Sequence, residues 1–316
     1  MKAAYFTTYD GIEGIQVGNL PIPQPKANEV QIKIEYAGVN PADWKASQGH
    51  FKERLPAEFP VILGWDLAGT ISAVGNEVRG YKVGDAVFAY CRKKIMRDGT
   101  YAEYICVELN NIALMPKTLT PAQAACIPLS SLTAWQSLFD VANLQAGEKI
   151  LIPAGAGGVG SFALQFAKMK GALVITTSSK SHHPYINTLK PDHVIDYTQE
   201  DFVQAVRKLY PEGVDVVFDT VGGTNLEKSY EVVKKKGRLV SIAGQVDAKK
   251  ALEKGIEAYY SFVAPNHKQL QDIAQLIDEG KLKAPPITIF PLDQVKQALQ
   301  KSKEGKTEGK IVLKIS

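Results

Sequence analysis

The stretch Ala154-Gly155-Ala156-Gly157-Gly158-Val159-Gly160 decides the fold. It spells G-x-G-x-x-G through Gly155, Gly157 and Gly160, a pattern that carries little weight without its context. Here a short apolar run, Glu148–Pro153, leads into it. After it Val159, Phe162, Ala163, Phe166 and Ala167 recur at the spacing of one helical face, and Gly171 supplies a stop. A strand, a glycine turn and an amphipathic helix in that order form the phosphate-binding corner of a dinucleotide site. Gly155 permits the tight turn, Gly157 lets the backbone approach a pyrophosphate, and Gly160 lets the helix lie close to the strand. The unpaired N–H groups of the first helical turn then face the anion. Ala156, Gly158 and Val159 complete the cofactor-binding set.

Working outward, the segments downstream alternate. Ala172–Thr177 reads as a strand, Asp201–Leu209 as a helix, and Val214–Phe218 as a strand buried on both faces. Leu226, Tyr230 and Val233 mark another helix, with Lys234-Lys235-Lys236 as its solvated end, before a strand at Arg238–Ala243. This is a doubly wound parallel α/β sheet with right-handed crossovers. Upstream the period is two: Val30, Ile32, Ile34 and Tyr36 alternate with polar residues. Runs at Leu67–Val74, Asp85–Tyr90 and Tyr101–Val107 follow, separated by glycine turns, which suggests a small barrel or sandwich. The character changes near Pro116–Pro121. At the far end helices at Gln269–Glu279 and Asp293–Lys301 flank a strand at Ile287–Phe290, and Lys310–Ile315 is a last strand.

A chain of 316 residues holds about two domains. With 45% hydrophobic and 22% charged residues it reads as a globular protein, and a net charge of +4 without a basic stripe argues against a nucleic-acid partner. Three widely spaced cysteines make no disulfide framework and point to a reducing compartment. Asp10 and Glu13 interrupt the N-terminus too early for a signal peptide, and no apolar run approaches the roughly 18 residues of a membrane span. Cytoplasmic location is expected, with no membrane partner.

An NAD site carries Asp or Glu at the end of its second strand, roughly 20 residues past the glycines, to bind the ribose hydroxyl. This chain has Thr176-Thr177-Ser178-Ser179-Lys180 there. No carboxylate opposes a 2′-phosphate. Ser178 and Ser179 donate hydrogen bonds and Lys180 adds a positive charge, so the expected cofactor is NADPH.

These residues resemble the medium-chain dehydrogenase/reductase superfamily, and within it the zinc-independent quinone oxidoreductases, the zeta-crystallin-like branch. The resemblance runs through Ala37-Gly38-Val39-Asn40-Pro41-Ala42-Asp43, Gly64-Trp65-Asp66-Leu67-Ala68-Gly69 and Val83-Gly84-Asp85-Ala86-Val87. It continues in the glycine turn, Asp219-Thr220-Val221-Gly222-Gly223, Gly237-Arg238 and Gly309-Lys310-Ile311-Val312-Leu313. It implies a GroES-like catalytic domain from residues 1–122 and 265–316 around a Rossmann domain at 123–264, with the active cleft between them. Zinc-dependent members place Cys at Asn40, His-Glu at Trp65-Asp66 and a later ligand near Leu129. Amide, indole and aliphatic groups do not bind zinc, and Cys91–Thr100 holds one cysteine where the structural-zinc loop has four, so no metal is expected.

The activity implied is hydride transfer from NADPH to a quinone or an α,β-unsaturated carbonyl. Asn40 then lines the substrate and nicotinamide pocket, with Asp43, Trp65, Tyr90 and Thr133 as further catalytic candidates. Val221, Gly222, Phe262 and Val263 flank the nicotinamide, Tyr197 lies near the adenosine phosphate, and Lys310 joins the cofactor set. The resemblance also implies a homodimer through Glu257–Val263. Tyr230-Glu-Val-Val-Lys234 matches the Tyr-x-x-x-Lys of short-chain dehydrogenases, but Tyr230 shares an apolar face with Leu226 and Val233 and reads as core. The alternative is an NADPH-binding redox sensor or structural protein without efficient turnover.

Overall fold

The structure is a computed structural model that describes all residues from Met1 to Ser316. It divides into two compact units, Met1–Leu129 with Ala264–Ser316, and Ser130–Val263. No helix is long and apolar enough to cross a membrane.

The central unit is a six-stranded parallel sheet. Its strands, in chain order, are Lys149–Ile152, Leu173–Ser178, His193–Asp196, Val214–Asp219, Val233–Ser241 and Glu257–Tyr260. Across the sheet they run third, second, first, fourth, fifth, sixth. That order places the reversal between the first and fourth strands, where doubly wound sheets bind ligands at their C-terminal ends. The sheet is covered because its residues are apolar on both faces: Leu151, Ile175, Val217 and Leu239 pack with Phe202, Val206, Leu226 and Tyr230. The helix Gly158–Lys170 closes on Gly171, whose φ of +84° is open to glycine. Beneath it Phe166 contacts Trp135, Phe139 and Phe162 with ring centroids 5.4, 6.0 and 6.4 Å apart.

One local expectation is corrected. Lys234-Lys235-Lys236 is no helix end: the helix stops at Val232, and Val233–Ser241 is a strand. Lys234 is ion-paired to Asp215, and Lys236 takes a positive φ of 63°. Tyr230 is core as expected; its hydroxyl accepts the Asp247 N–H at 2.7 Å.

The other unit is made from both chain ends. Its main sheet runs Ile287–Pro291, Lys310–Lys314, Glu29–Val39, Asp66–Val74, Ala86–Tyr90 and Ile112–Leu114, with Tyr104–Glu108 also paired to Glu29–Val39. A smaller sheet joins Gln16–Asn19, Lys2–Phe6 and Val61–Ile62. The C-terminal strand is not an appendage. It pairs antiparallel with Glu29–Val39, setting Ile311 opposite Val39 and Leu313 opposite Ala37. The helix His267–Asp278 docks through His267, whose Nδ1 lies 2.6 Å from the Ile112 carbonyl oxygen.

Truncating Phe166 removes the shared partner of three rings. Phe166→Ala is expected to lower stability by about 3–5 kcal/mol, measured by urea denaturation followed through tryptophan fluorescence.

Candidate active site

The glycine turn is built as its sequence requires. A Cβ on Gly160 would meet the Ala154 carbonyl oxygen at 2.3 Å, and one on Gly155 would meet Thr176 Oγ1 at 2.2 Å. Both glycines are therefore fixed by packing of the turn against its own helix and the second strand. Gly157 differs: its Cβ would have only the Ala154 oxygen within 4 Å, at 3.4 Å. This open position, at the N-cap of the helix Gly158–Lys170, is where a phosphate can approach the backbone. Ala154 holds a positive φ of 55° to make the corner.

The other expected cofactor residues fall at the C-terminal ends of the central strands. Ser178 ends the second strand, buried, its hydroxyl on the Ser179 carbonyl at 3.0 Å. Ser179 Oγ lies 2.9 Å from Ser181 Oγ, and Lys180 is exposed without an ion-pair partner. Tyr197 is exposed just past the third strand. Val221 and Gly222 follow the fourth; their N–H groups both donate to Asp219 Oδ1, while Ser241 Oγ donates to Asp219 Oδ2 at 2.7 Å. That carboxylate, buried and accepting three bonds, ties the ends of the fourth and fifth strands together. Phe262 and Val263 follow the sixth strand, and Thr133 is buried in the helix Pro128–Trp135.

In the unit made from both ends, the candidates converge on a buried polar network. Asn40, Asp43, Asp66 and Lys310 are each at most 5% exposed. Asp66 Oδ2 accepts the Asn40 amide at 2.9 Å, and its Oδ1 accepts the Leu129 N–H at 2.7 Å. The Lys310 ammonium donates to the Asn40 side-chain oxygen and to the Val39 carbonyl, 4.0 Å from Asp66. Asp43 Oδ2 accepts both the Asn40 N–H and the Tyr101 hydroxyl at 2.7 Å. The amide of Asn40 keeps one N–H beyond the one given to Asp66. Lys310, expected among the cofactor contacts, is held here beside Asn40. Asp66 and Tyr101 are members that the sequence did not single out; their only signal was Asp66 inside a glycine-flanked motif.

Burial pushes the Asp43 carboxyl up to about 7, against the opposing hydrogen bonds from Asn40 and Tyr101. Burial likewise raises Asp66 to about 6, against the opposing Lys310 charge. Tyr90 is buried on the strand opposite Asp66, and burial raises its phenol. The thiols of Cys91 and Cys126 are also pushed up by burial and stay neutral. Trp65 packs against Phe51 at 5.7 Å and lines a small open cleft, with room for about 20 Å³, with Asp43, Leu55, Ile62, Cys91 and Met96. In the basic segment at its rim, Lys93 pairs with Asp98 at 3.1 Å and Arg97 with Glu58 at 3.2 Å. No group of three or more His, Cys, Asp or Glu side chains stands together as a metal would need.

A parallel sheet ordered about a glycine turn, and a β-rich second unit in which the C-terminal strand pairs with Glu29–Val39, fit a dinucleotide-binding oxidoreductase. Comparison with known proteins agrees. A model for the alcohol dehydrogenase GroES-like domain matches residues 26–117, and one for zinc-binding dehydrogenases matches 189–313. The chain is 34% identical to a 2-methylene-furan-3-one reductase of Solanum lycopersicum over 99% of its own length and 79% of the relative's. It is equally identical, over the same shares, to an NADPH-dependent alkenal/one oxidoreductase of Arabidopsis thaliana. The solved quinone oxidoreductase of Coxiella burnetii superposes with a TM-score of 0.90 at 32% identity, covering 100% of this chain and 99% of that one. The chain belongs to the medium-chain dehydrogenase/reductase family, in its quinone oxidoreductase-like branch.

Two substitutions separate packing from binding. Gly160→Ala is expected to destabilise the fold by about 1–3 kcal/mol through overpacking, while Gly157→Ala keeps its melting temperature and loses dinucleotide affinity by calorimetry. A third outcome follows from linkage. Asp43 and Asp66 have folded pKa values above the unfolded carboxyl value of about 3.9. Their stability contribution is full below that value and is lost as pH rises through about 6 and 7. Urea melts between about pH 5 and about pH 7.5 are expected to fall less steeply for Asp43→Asn than for the native chain.

Proposed function

We propose that this protein is an NADPH-dependent reductase of quinones or α,β-unsaturated carbonyls that works without a catalytic metal. The observation that carries this reading is that Asn40, Trp65 and Leu129 offer an amide, an indole and an aliphatic chain where a zinc site needs thiolate and imidazole, while Asp66 and Lys310 engage the Asn40 side chain. Zinc polarises a carbonyl as a Lewis acid; here polarisation falls to hydrogen-bond donors instead. Lys310 holds the Asn40 oxygen and Asp66 holds one of its N–H groups, so the remaining N–H is fixed in direction. A preset donor of this kind stabilises an oxyanion without reorganising. The names of the relatives, an alkenal/one oxidoreductase and a quinone oxidoreductase, support the substrate class.

When bound, the dinucleotide supplies a hydride. We assign its handling to the central unit and that of the substrate to the unit built from both chain ends. Gly155–Gly160 would hold the pyrophosphate; Ser178, Ser179, Lys180 and Tyr197 the phosphorylated adenosine; Thr133, Val221, Gly222, Phe262 and Val263 the nicotinamide end. NADPH rather than NADH is supported by a second strand that ends in hydroxyls and a free ammonium with no carboxylate. Asp196, the nearest acid on the neighbouring strand, is engaged by Thr198 through its N–H and hydroxyl at 3.0 and 2.7 Å. A reducing cytoplasm suits three buried, unpaired cysteines. A homodimer is supported by the open edge strand Glu257–Tyr260, where Tyr259 is exposed.

The test is nicotinamide oxidation by purified protein with a panel of quinones and short enones, with and without a chelator. Turnover that prefers NADPH and ignores the chelator is expected. Lys180→Glu is expected to lower kcat/KM for NADPH by roughly tenfold or more while leaving NADH nearly unchanged, as loss of one charge-assisted phosphate contact implies. NADH preference in the native protein, or loss of activity on chelation, would overturn the reading.

A further inference from the structure

We propose that Ser137 is a positioning residue for hydride transfer: its hydroxyl fixes the loop of Phe262 and Val263, and with it the nicotinamide end of the cofactor. The proposal rests on the reductase reading above, which assigns that loop to the nicotinamide and leaves open what sets its place.

The helix Pro128–Trp135 does not simply end. It runs on as a π-turn over Gln136–Val141, closed by the Ala142 N–H on the Ser137 carbonyl, five residues back, at 2.9 Å. Such wide turns are rare, and inside helices they occur frequently at functional sites. Here the turn is pinned on two sides. Trp135 and Phe139 stand with ring centroids 5.2 Å apart, and both meet Phe166 of the helix Gly158–Lys170. Ser137 lies between them in the chain and has a different partner. It is fully buried, and its Oγ donates to Ser261 Oγ at 3.0 Å. Thr133, assigned to the same end of the cofactor, stands on this helix four residues earlier.

Ser261 directly precedes Phe262, just past the sixth strand. It is buried too, so the two hydroxyls meet away from water, where a hydroxyl needs a partner. The bond does not stand alone. The Ser261 N–H donates to the Ser241 carbonyl at 2.8 Å, and Ser241 Oγ donates to Asp219 Oδ2. Asp219 Oδ1 in turn accepts the N–H groups of Val221 and Gly222. One chain of hydrogen bonds therefore runs from the π-turn across the C-terminal ends of the sixth, fifth and fourth strands. It anchors both loops assigned to the nicotinamide, Phe262–Val263 and Val221–Gly222.

Within that chain the Ser137–Ser261 bond is special. The other links join strands that are neighbours in the sheet, and this one leaves the sheet for a helix. The sixth strand is an edge, with a strand neighbour on one side only. The chain leaving it is held to the fifth strand by the Ser261 N–H, and Ser137 supplies a second fixed point. Hydride transfer is sensitive to such placement, because the reacting atoms must stand about 3–3.5 Å apart and a shift of about 1 Å can cost roughly 100-fold in rate.

Ser137→Ala removes one hydroxyl and little volume. It is expected to stay folded, with native circular dichroism, and to bind 2′,5′-ADP, which lacks the nicotinamide, as tightly as the native chain does. Its kcat with NADPH and a quinone is expected to fall roughly tenfold to 100-fold, as a displaced ring implies. The emission of bound NADPH, which reports the surroundings of the nicotinamide, is expected to differ from that in the native protein; a role in stability alone would leave it unchanged. Ser261→Ala is expected to do the same, and the double variant to be no worse than either single, the mark of one shared bond. Native kcat and native emission in Ser137→Ala overturn the proposal and leave the reductase reading standing, and so do losses from the two single variants that multiply in the double. A native protein that binds NADPH but reduces no quinone or enone overturns the reading and with it the link to hydride transfer, while the emission of bound NADPH still decides whether Ser137 places the ring.

Discussion

A carboxylate with no contact with water has to be satisfied from within, and Asp66 sets that condition for half of the molecule. Its partners come from three separate stretches: the Asn40 amide at the head of a short helix, the Leu129 N–H at the end of the unit's first segment, and Lys310 on the strand that returns from the C-terminus. Removing any one leaves a buried charge short of partners, at a cost of several kcal/mol. The antiparallel pairing of Ile311 with Val39 is thus also what delivers an ammonium beside Asn40. In this unit the closing of the sheet and the assembly of the polar network are one event.

The central unit answers a backbone constraint instead. Its glycine turn must bring a helix onto the first strand while leaving a face open for an anion. Gly155 and Gly160 meet the first demand and Gly157 the second, as their neighbours show. Asp219 and Ser241 then brace the ends of the fourth and fifth strands, so that the loops carrying Val221 and Gly222 leave the sheet from fixed points.

Much of this was legible in the sequence. The glycine turn was readable because its context, an apolar strand before and a helical stripe after, is local. The parallel sheet followed from the alternation of strands and helices, and the last strand from its apolar run at Lys310–Ile315. What escaped has physical reasons. The lysines at 234–236 look like a helix end by charge alone, yet Val233 and Arg238 are pulled into the sheet by pairing with Val214 and Val216. The helix Pro41–Ser47 is too short to show a period. Asp66, Tyr101 and Lys310 stand 35 to 244 positions apart in the chain, so no spacing rule joins them; only the fold shows that Lys310, which resemblance assigns to the cofactor, holds the side chain of Asn40. Asp43 is a catalytic candidate in the sequence; that it accepts the Asn40 N–H through one oxygen and leaves the other without a partner is visible only in three dimensions.

The proposed function holds that the Asn40 amide stands where zinc-dependent members of the superfamily carry a cysteine ligand. It is tested most directly by measuring the metal content and the specific activity of the same preparation, purified with a chelator throughout. The account predicts full NADPH-dependent turnover at far less than one zinc per chain, with no gain when zinc is restored. Activity that rises and falls in proportion to bound zinc would contradict it.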